Sequence, residues 1–186
     1  MKKLWICFSI LIVLGIVMAA IAIMKPTISR TCRIGEYNIT MKIPYAYEKE
    51  EDNYEDSLMN LYNKEQGIRI NAIELKENFW SSDDVESRME EYLKVITSVN
   101  YEAGLKDLKT EIIEGTSGRI GKIEFELSKN YEEEKDMNLD ESKAVTLITN
   151  AEIGNVVIEI LASKENFDKN EDEIEHIVRS IKIKEW

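Results

Sequence analysis

Histidine occurs once, proline twice and cysteine twice in this chain of 186 residues, and each scarcity closes off a class of chemistry. A single histidine, His176, excludes a multi-histidine metal site within one chain and argues against a histidine-dependent triad. It sits three residues from Glu173 and Arg179 in a helical pattern, the setting of a solvated face rather than of a base or ligand. Cys7 lies in the apolar N-terminal stretch, which leaves Cys32 as the one thiol beyond it and forbids an internal disulfide. The domain must therefore hold together by its core, which roughly 150 residues can supply. In an oxidising compartment Cys32 could pair with its copy and give a dimer; the plainer reading is an unpaired thiol without a role. The few prolines, with no repeat or low-complexity tract, argue against a disordered stalk. No P-loop, dinucleotide fingerprint, HExxH or GxSxG occurs. Gly115–Gly121 (GTSGRIG) lacks the Lys-Ser/Thr pair and the following helix of a phosphate loop, and predicts a hairpin turn instead.

What the chain does have begins at once. Leu4–Met24 carries no charge, and a helix of that length reaches about 30 Å, the thickness of a bilayer's hydrocarbon core. Two readings stay open: a signal anchor that remains in the membrane, or a signal peptide cut after Ala22 in the small-x-small pattern Ala20-Ile21-Ala22. A signal peptide's apolar region is about 7–15 residues, so length favours retention. Neither cysteine stands where a lipoprotein signal would need it. Lys2 and Lys3 flank one end of the run, and Lys25, Arg30 and Arg33 the other, so the positive-inside count is nearly even. A short basic start followed by an apolar segment is the usual export signal, which places the domain outside the plasma membrane of a bacterium. The expected organisation is an anchor over residues 1–25, a linker over 26–36 and a soluble domain over 37–186.

The net charge is −12, with 36 acidic residues against 24 basic ones. A surface so acidic repels nucleic acid and anionic headgroups, so neither is an expected partner. Glu48–Asp56 (EKEEDNYED) and Glu132–Glu141 (EEEKDMNLDE) concentrate the acid. Solvated loops are the expected form; a weak cation site is the alternative.

After Lys25-Pro26 ends the membrane helix, strands follow. Tyr37, Ile39, Met41 and Ile43 alternate with polar residues up to Pro44. Ser57–Tyr62 and Gly67–Leu75, joined through Asn63-Lys64-Glu65-Gln66, predict a hairpin. Ser81, Ser82, Asp83 and Asp84 announce a helix whose apolar face carries Val85, Met89, Tyr92, Leu93, Ile96 and Val99. Strands are expected over Lys109–Ile113, Ile120–Leu127, Lys143–Thr149 and Asn155–Ala162, the last one central. A second helix over Asn170–Ser180 presents Ile174, Ile177, Val178 and Ile181, and a short strand closes the chain. Adjacent strands with short connections give an α+β fold: a mainly antiparallel sheet of six to seven strands packed against two helices, preceded by the transmembrane helix.

Tyr37-Asn38-Ile39-Thr40-Met41-Lys42-Ile43-Pro44 is an opening strand that ends in proline. Glu171–Ile183 (EDEIEHIVRSIKI) is a last helix followed by a serine and a short alternating segment. In these residues and in element order from Tyr37 to Ile183 the chain resembles the PsbP-like superfamily, the extrinsic photosystem subunit and its bacterial relatives. One departure stands out: the Gly-Trp often found after the first strand is here Tyr45-Ala46-Tyr47. The resemblance implies an exported or membrane-anchored, non-catalytic protein.

No nucleophile, base and orienter set marks a catalytic centre, and no cofactor or metal site is expected. Phe79-Trp80, ahead of the first soluble helix, is the one aromatic pair in an expected loop, either core or an exposed contact surface. A binding or structural module, with a membrane protein as a possible partner, is therefore favoured over an exported carboxylate-dependent hydrolase. The ligand sets lead to a measurement: a chelator should leave the melting temperature unchanged, and His176→Ala should leave the fold intact. A fall of several degrees on chelation would instead mark Glu48–Asp56 or Glu132–Glu141 as a cation site.

Overall fold

The structure is a computed structural model that describes residues 27–34, 37–50, 57–76, 79–99, 104–115, 118–128, 141–149 and 154–185. The expected membrane helix, Leu4–Met24, lies outside them, as do 51–56 and 132–140 of the two acidic segments. No helix among the described residues is long and apolar enough to cross a membrane.

Among the described residues ten strands and three helices follow in order. They are β1 (Thr27–Ile34), β2 (Tyr37–Pro44), β3 (Glu48–Lys49), β4 (Ser57–Asn63), β5 (Ile68–Glu74), α1 (Val85–Val99), β6 (Leu105–Gly115) and β7 (Gly118–Leu127). Then come β8 (Ser142–Thr149), β9 (Val156–Ser163), α2 (Lys164–Lys169), α3 (Glu171–Arg179) and β10 (Lys182–Glu185). Seven strands form one sheet in the order β3-β4-β5-β9-β8-β7-β6, and β1-β2-β10 form a second. Every pairing is antiparallel. The α+β class and the antiparallel seven-stranded sheet are as expected from the sequence.

Helix α1 lies on one face of the large sheet. Its Met89 and Ile96 join Trp80, Ile123, Phe125, Ala144, Ile148 and Val157 in one apolar cluster. Gly121 in β7 passes so close beneath α1 that a β-carbon there would collide with the Met89 side chain. Helices α2 and α3 and the small sheet cover the opposite face, where Ile39, Met41, Ile43, Ile70, Ile158, Ile160, Phe167, Ile174 and Ile177 meet. The hairpin turn between β4 and β5 is tied to this second layer. Asn63 Oδ1 accepts the amides of Glu65 and Gln66, an Asx turn, and Gln66 Nε2 donates to Asn170 at 2.7 Å. Gly67 closes the turn at φ 63°, where an added β-carbon would meet Asn166 at 2.9 Å.

Three expectations are corrected. Residues 26–36 are not all linker, because Thr27–Ile34 is a strand in full register with β2, from Thr27↔Pro44 to Ile34↔Tyr37. Its β-branched Thr27, Ile28, Thr31 and Ile34 suit extended backbone, but as an edge strand it shows no clean apolar alternation. There are three described helices rather than two, since α2 precedes the last one. Its N-cap is Ser163, whose hydroxyl accepts the amide of Asn166. Glu48–Lys49, placed in an acidic loop, pairs with Tyr62 and Leu61 of β4.

Ile160 on β9 is wholly buried between the sheet and its second layer. Ile160→Asp should unfold the domain, since an unpaired buried charge costs several kcal/mol. A melting curve matching the wild type would show the strand to be misplaced.

Candidate functional site

Phe79 and Trp80 do not form one surface. Their rings meet edge to face with centroids 4.7 Å apart, but Trp80 is 8% exposed and Phe79 38%. Trp80 turns inward beneath the Arg88 guanidinium, 5.4 Å from its ring, and toward Tyr92 at 6.4 Å. His176 is exposed on α3, as its spacing predicts.

Arg88, buried on α1, is the first group that no pattern in the sequence singles out. Its Nε donates to the Ser82 carbonyl, and Nη1 donates to the carbonyls of Thr149 and Gly154 at 3.0 and 3.2 Å. Nη2 donates to Asn155 Oδ1 at 3.0 Å. Burial lowers its pKa, and Asp83 and Glu91 act against that. The guanidinium thus joins the start of α1 to the turn between β8 and β9, with four of its five N–H donors engaged there.

On the opposite face, charged side chains join the sheet to its helices. Lys143, 6% exposed, reaches Asp168 at 3.2 Å, Glu124 at 3.3 Å and Glu171 at 3.8 Å. Its ammonium also lies 4.6 Å from the centre of the Phe167 ring. Lys122 reaches Glu175 at 2.8 Å and Glu111 at 3.8 Å, and Arg179 reaches Glu175 at 2.6 Å. Lys109 closes on Glu124 at 3.1 Å, and Lys164 pairs with Glu126. These pairs face one another across β6, β7, β8, α2 and α3, so the lattice fastens both short helices to the sheet. Burial raises the Glu124 carboxyl, but Lys109 and Lys143 outweigh it and hold the group below its ordinary value. Burial likewise depresses the Lys143 ammonium, and Asp168 and Glu124 outweigh it upward.

A third arrangement lies between α1 and the middle of the large sheet. On the α1 face, Asn60, Asn71, Glu159 and Thr146 stand directly opposite one another across β4, β5, β9 and β8. Side chains so placed have β-carbons about 4.5–5.5 Å apart, which makes one continuous polar row. Tyr92 of α1 donates its hydroxyl to Glu159 at 2.8 Å; burial first, then the Glu159 charge, raises its pKa, so the phenol stays protonated. One row away, Arg69 pairs with Glu50 at 3.2 Å and lies 5.5 Å from the Tyr62 ring. On this face Asn60 Oδ1 and Asn71 Oδ1 and, beside Tyr92, Trp80 Nε1 are buried without a hydrogen bond, while Thr146 lies against the Tyr92 hydroxyl. Orphan atoms cost about 1–3 kcal/mol each, so their concentration on one face calls for a reason. The row is the candidate site. Among the described residues no cluster of three or more His, Cys, Asp or Glu is placed to hold a metal ion.

No protein-family profile matches the chain, and no curated protein matches it in sequence. In fold it is similar to the cyanobacterial PsbP (CyanoP) of Synechocystis sp. PCC 6803. That likeness has a TM-score of 0.53 at 10% identity and covers 87% of this chain and 94% of the other. The Ran-binding protein Mog1p of Saccharomyces cerevisiae overlaps 84% of this chain and 96% of its own, with a TM-score of 0.47 at 11% identity. The chain has a PsbP-like fold.

The lattice sets a pH window. Glu124, depressed in the folded state, contributes stability that is present above its ordinary value of 4.5 and is lost as pH falls through the folded value. Lys143, raised, contributes stability that is present below 10.5 and is lost as pH rises through the folded value. Urea midpoints should form a plateau between these limits and fall on both sides. Lys143→Met should lower the plateau by about 1–3 kcal/mol, because it leaves Glu124 with less compensation. A midpoint unchanged by the substitution would show that the lattice adds nothing.

Proposed function

We propose that this chain is a membrane-anchored domain on the outer side of the cytoplasmic membrane, acting as a non-catalytic binding or structural module. The observation that carries this reading is how the buried ionisable groups are used. Lys143, Lys122 and Arg88 are each spent on joining helices to the sheet, and Tyr47 donates its phenol to Glu173 at 3.2 Å in the same second layer. Burial, reinforced by Glu173, raises the Tyr47 pKa and keeps it a donor rather than a base. The histidine, the ordinary proton shuttle at neutral pH, stands on the solvent side of α3. The PsbP-like fold supports the reading, since the family resemblance implies an exported or anchored protein without chemistry of its own.

The uncharged run Leu4–Met24 supplies the anchor, and the acidic surface turns the domain away from anionic headgroups toward a protein or small-molecule partner. A membrane protein in the same bilayer is the partner this geometry suits. Cys32 lies on the edge strand β1, next to the anchor in sequence, and is the thiol through which two copies would pair in an oxidising compartment. Fractionation tests the reading. After a carbonate wash the full-length chain should stay with the membranes, and protease added outside intact spheroplasts should digest the domain. A shorter soluble form starting near Ile23 would overturn retention, and protection from the protease would reverse the side.

A further inference from the structure

We propose that the outer face of the small sheet docks on the anionic headgroups of the bilayer that holds the anchor, a reading that rests on the membrane-anchored function above. The net charge of −12 argues against such headgroups only on average, and this one face departs from the average. Ile39, Met41 and Ile43 of β2 are 0% exposed and turn inward, so the alternate side chains Thr40 and Lys42 turn outward. Ser29 and Thr31 of β1 stand opposite Lys42 and Thr40, and the two threonine hydroxyls meet at 3.0 Å. Lys182 and Lys184 of β10 stand opposite Thr40 and Asn38 and share the same face. All three lysines are exposed. Lys109, Lys122, Lys143 and Lys164 each meet a carboxylate, whereas Lys42, Lys182 and Lys184 meet none among the described residues. Asp168 and Glu171 of the helices in the same layer turn to Lys143 instead. The far side of the domain, behind α1, exposes Asp83, Asp84, Glu86 and Glu90. Acid keeps the body of the domain off the headgroups and leaves this face as the side that approaches them.

The reach of the chain names the occupant. The anchor ends at Met24, and only Lys25 and Pro26 separate it from Thr27, the first residue of β1. Three Cα steps span at most about 11 Å, against a headgroup layer about 5–7 Å deep on each side of the bilayer. Strand β1 therefore starts at the membrane surface. Laid flat, the sheet brings three ammonium groups and a row of hydroxyls against lipid phosphates, with the lysine stems along the surface. A basic side chain near an anionic surface is worth about fivefold in binding, so three together give about a hundredfold. That is weak for a free domain and ample for one held at the surface by so short a tether.

The test uses the full chain in vesicles, with an environment-sensitive fluorophore at Thr31→Cys in a Cys7→Ser, Cys32→Ser background. Thr31 lies about 13 Å along β1 from Thr27, in the headgroups if the sheet lies flat and in water if it stands upright. The emission should shift to the blue in phosphatidylcholine vesicles that contain phosphatidylglycerol, relative to phosphatidylcholine alone. A fluorophore at Ser98→Cys, on the far side, should not respond. Reversing the face with Lys42→Glu, Lys182→Glu and Lys184→Glu should abolish the shift at an unchanged melting temperature. Sodium chloride at about 1 M should abolish it as well, and this arm carries the test if the reversal disturbs the fold. Equal emission in the two kinds of vesicle overturns the proposal, as does a shift that survives both the reversal and the salt. An equal response at Ser98 also overturns it. A shift in phosphatidylcholine alone that grows with protein density overturns it in favour of a second copy on this face. A chain that washes off the membranes fails the anchor itself; one that stays without the shift strikes the docking alone.

Discussion

Strand β8 is buried along its whole length, and the rest of the domain follows from that constraint. A strand that turns its back on water on both faces needs a layer on each side, and its polar side chains need partners inside. The α1 helix is one layer; α2, α3 and the small sheet are the other. Lys143, Thr146 and Thr149 are the side chains that test the arrangement. Thr149 donates to the Gly154 carbonyl at 2.8 Å and accepts the Val156 amide at 3.2 Å, which closes the turn into β9. Lys143 gathers carboxylates from β7, α2 and α3 around one ammonium. The position of both short helices is in this sense a consequence of one lysine on a central strand.

Of the three cations buried among the described residues, Arg88 and the lysines Lys122 and Lys143 are held in different ways, and side-chain chemistry explains the difference. Arg88 has no carboxylate in contact; its planar fork is satisfied by carbonyl oxygens from the N-terminal approach to α1 and from the β8–β9 turn. Weak hydration and fixed donor directions make that arrangement tolerable for a guanidinium. An ammonium is a compact, strongly hydrated charge, so Lys143 needs full counter-charges, which Glu124 and Asp168 provide. The same chain thus uses carbonyl dipoles on one face and ion pairs on the other. The acidic excess of the sequence is partly spent on the second.

Period explains which parts of this were legible in the sequence. Val85, Met89 and Ile96 recur at helical spacing, and Val157, Ile158 and Ile160 crowd a strand too apolar for an edge; all six are buried. The PsbP-like element order was legible for the same reason, as it is a pattern of periods. Strand β1 was not, because a polar edge strand announces itself by its partner rather than by its own alternation. Helix α2 is too short for a period, with Phe167 its one buried residue. Phe79 and Trp80 could not be separated either, since adjacency in sequence leaves open which of two rings turns inward. The polar row was invisible for a stronger reason. Asn60, Asn71, Thr146 and Glu159 come from four strands, and only the register between those strands aligns them. Nothing in the spacing of these residues along the chain hints at it.

That contrast bears on why the row exists. Other buried polar groups find partners: Arg88 through four hydrogen bonds, Lys143 through three carboxylates, Thr149 through its own turn. The capacity to pair buried polar atoms is plainly present in this sequence. Yet on one face two amide oxygens, those of Asn60 and Asn71, are left without partners. Apolar residues of similar size at Asn60 and Asn71 would remove the cost. At about 1–3 kcal/mol for each orphan, against a total stability of about 5–15 kcal/mol for a domain, the cost is a large share. Folding alone gives no reason to keep it.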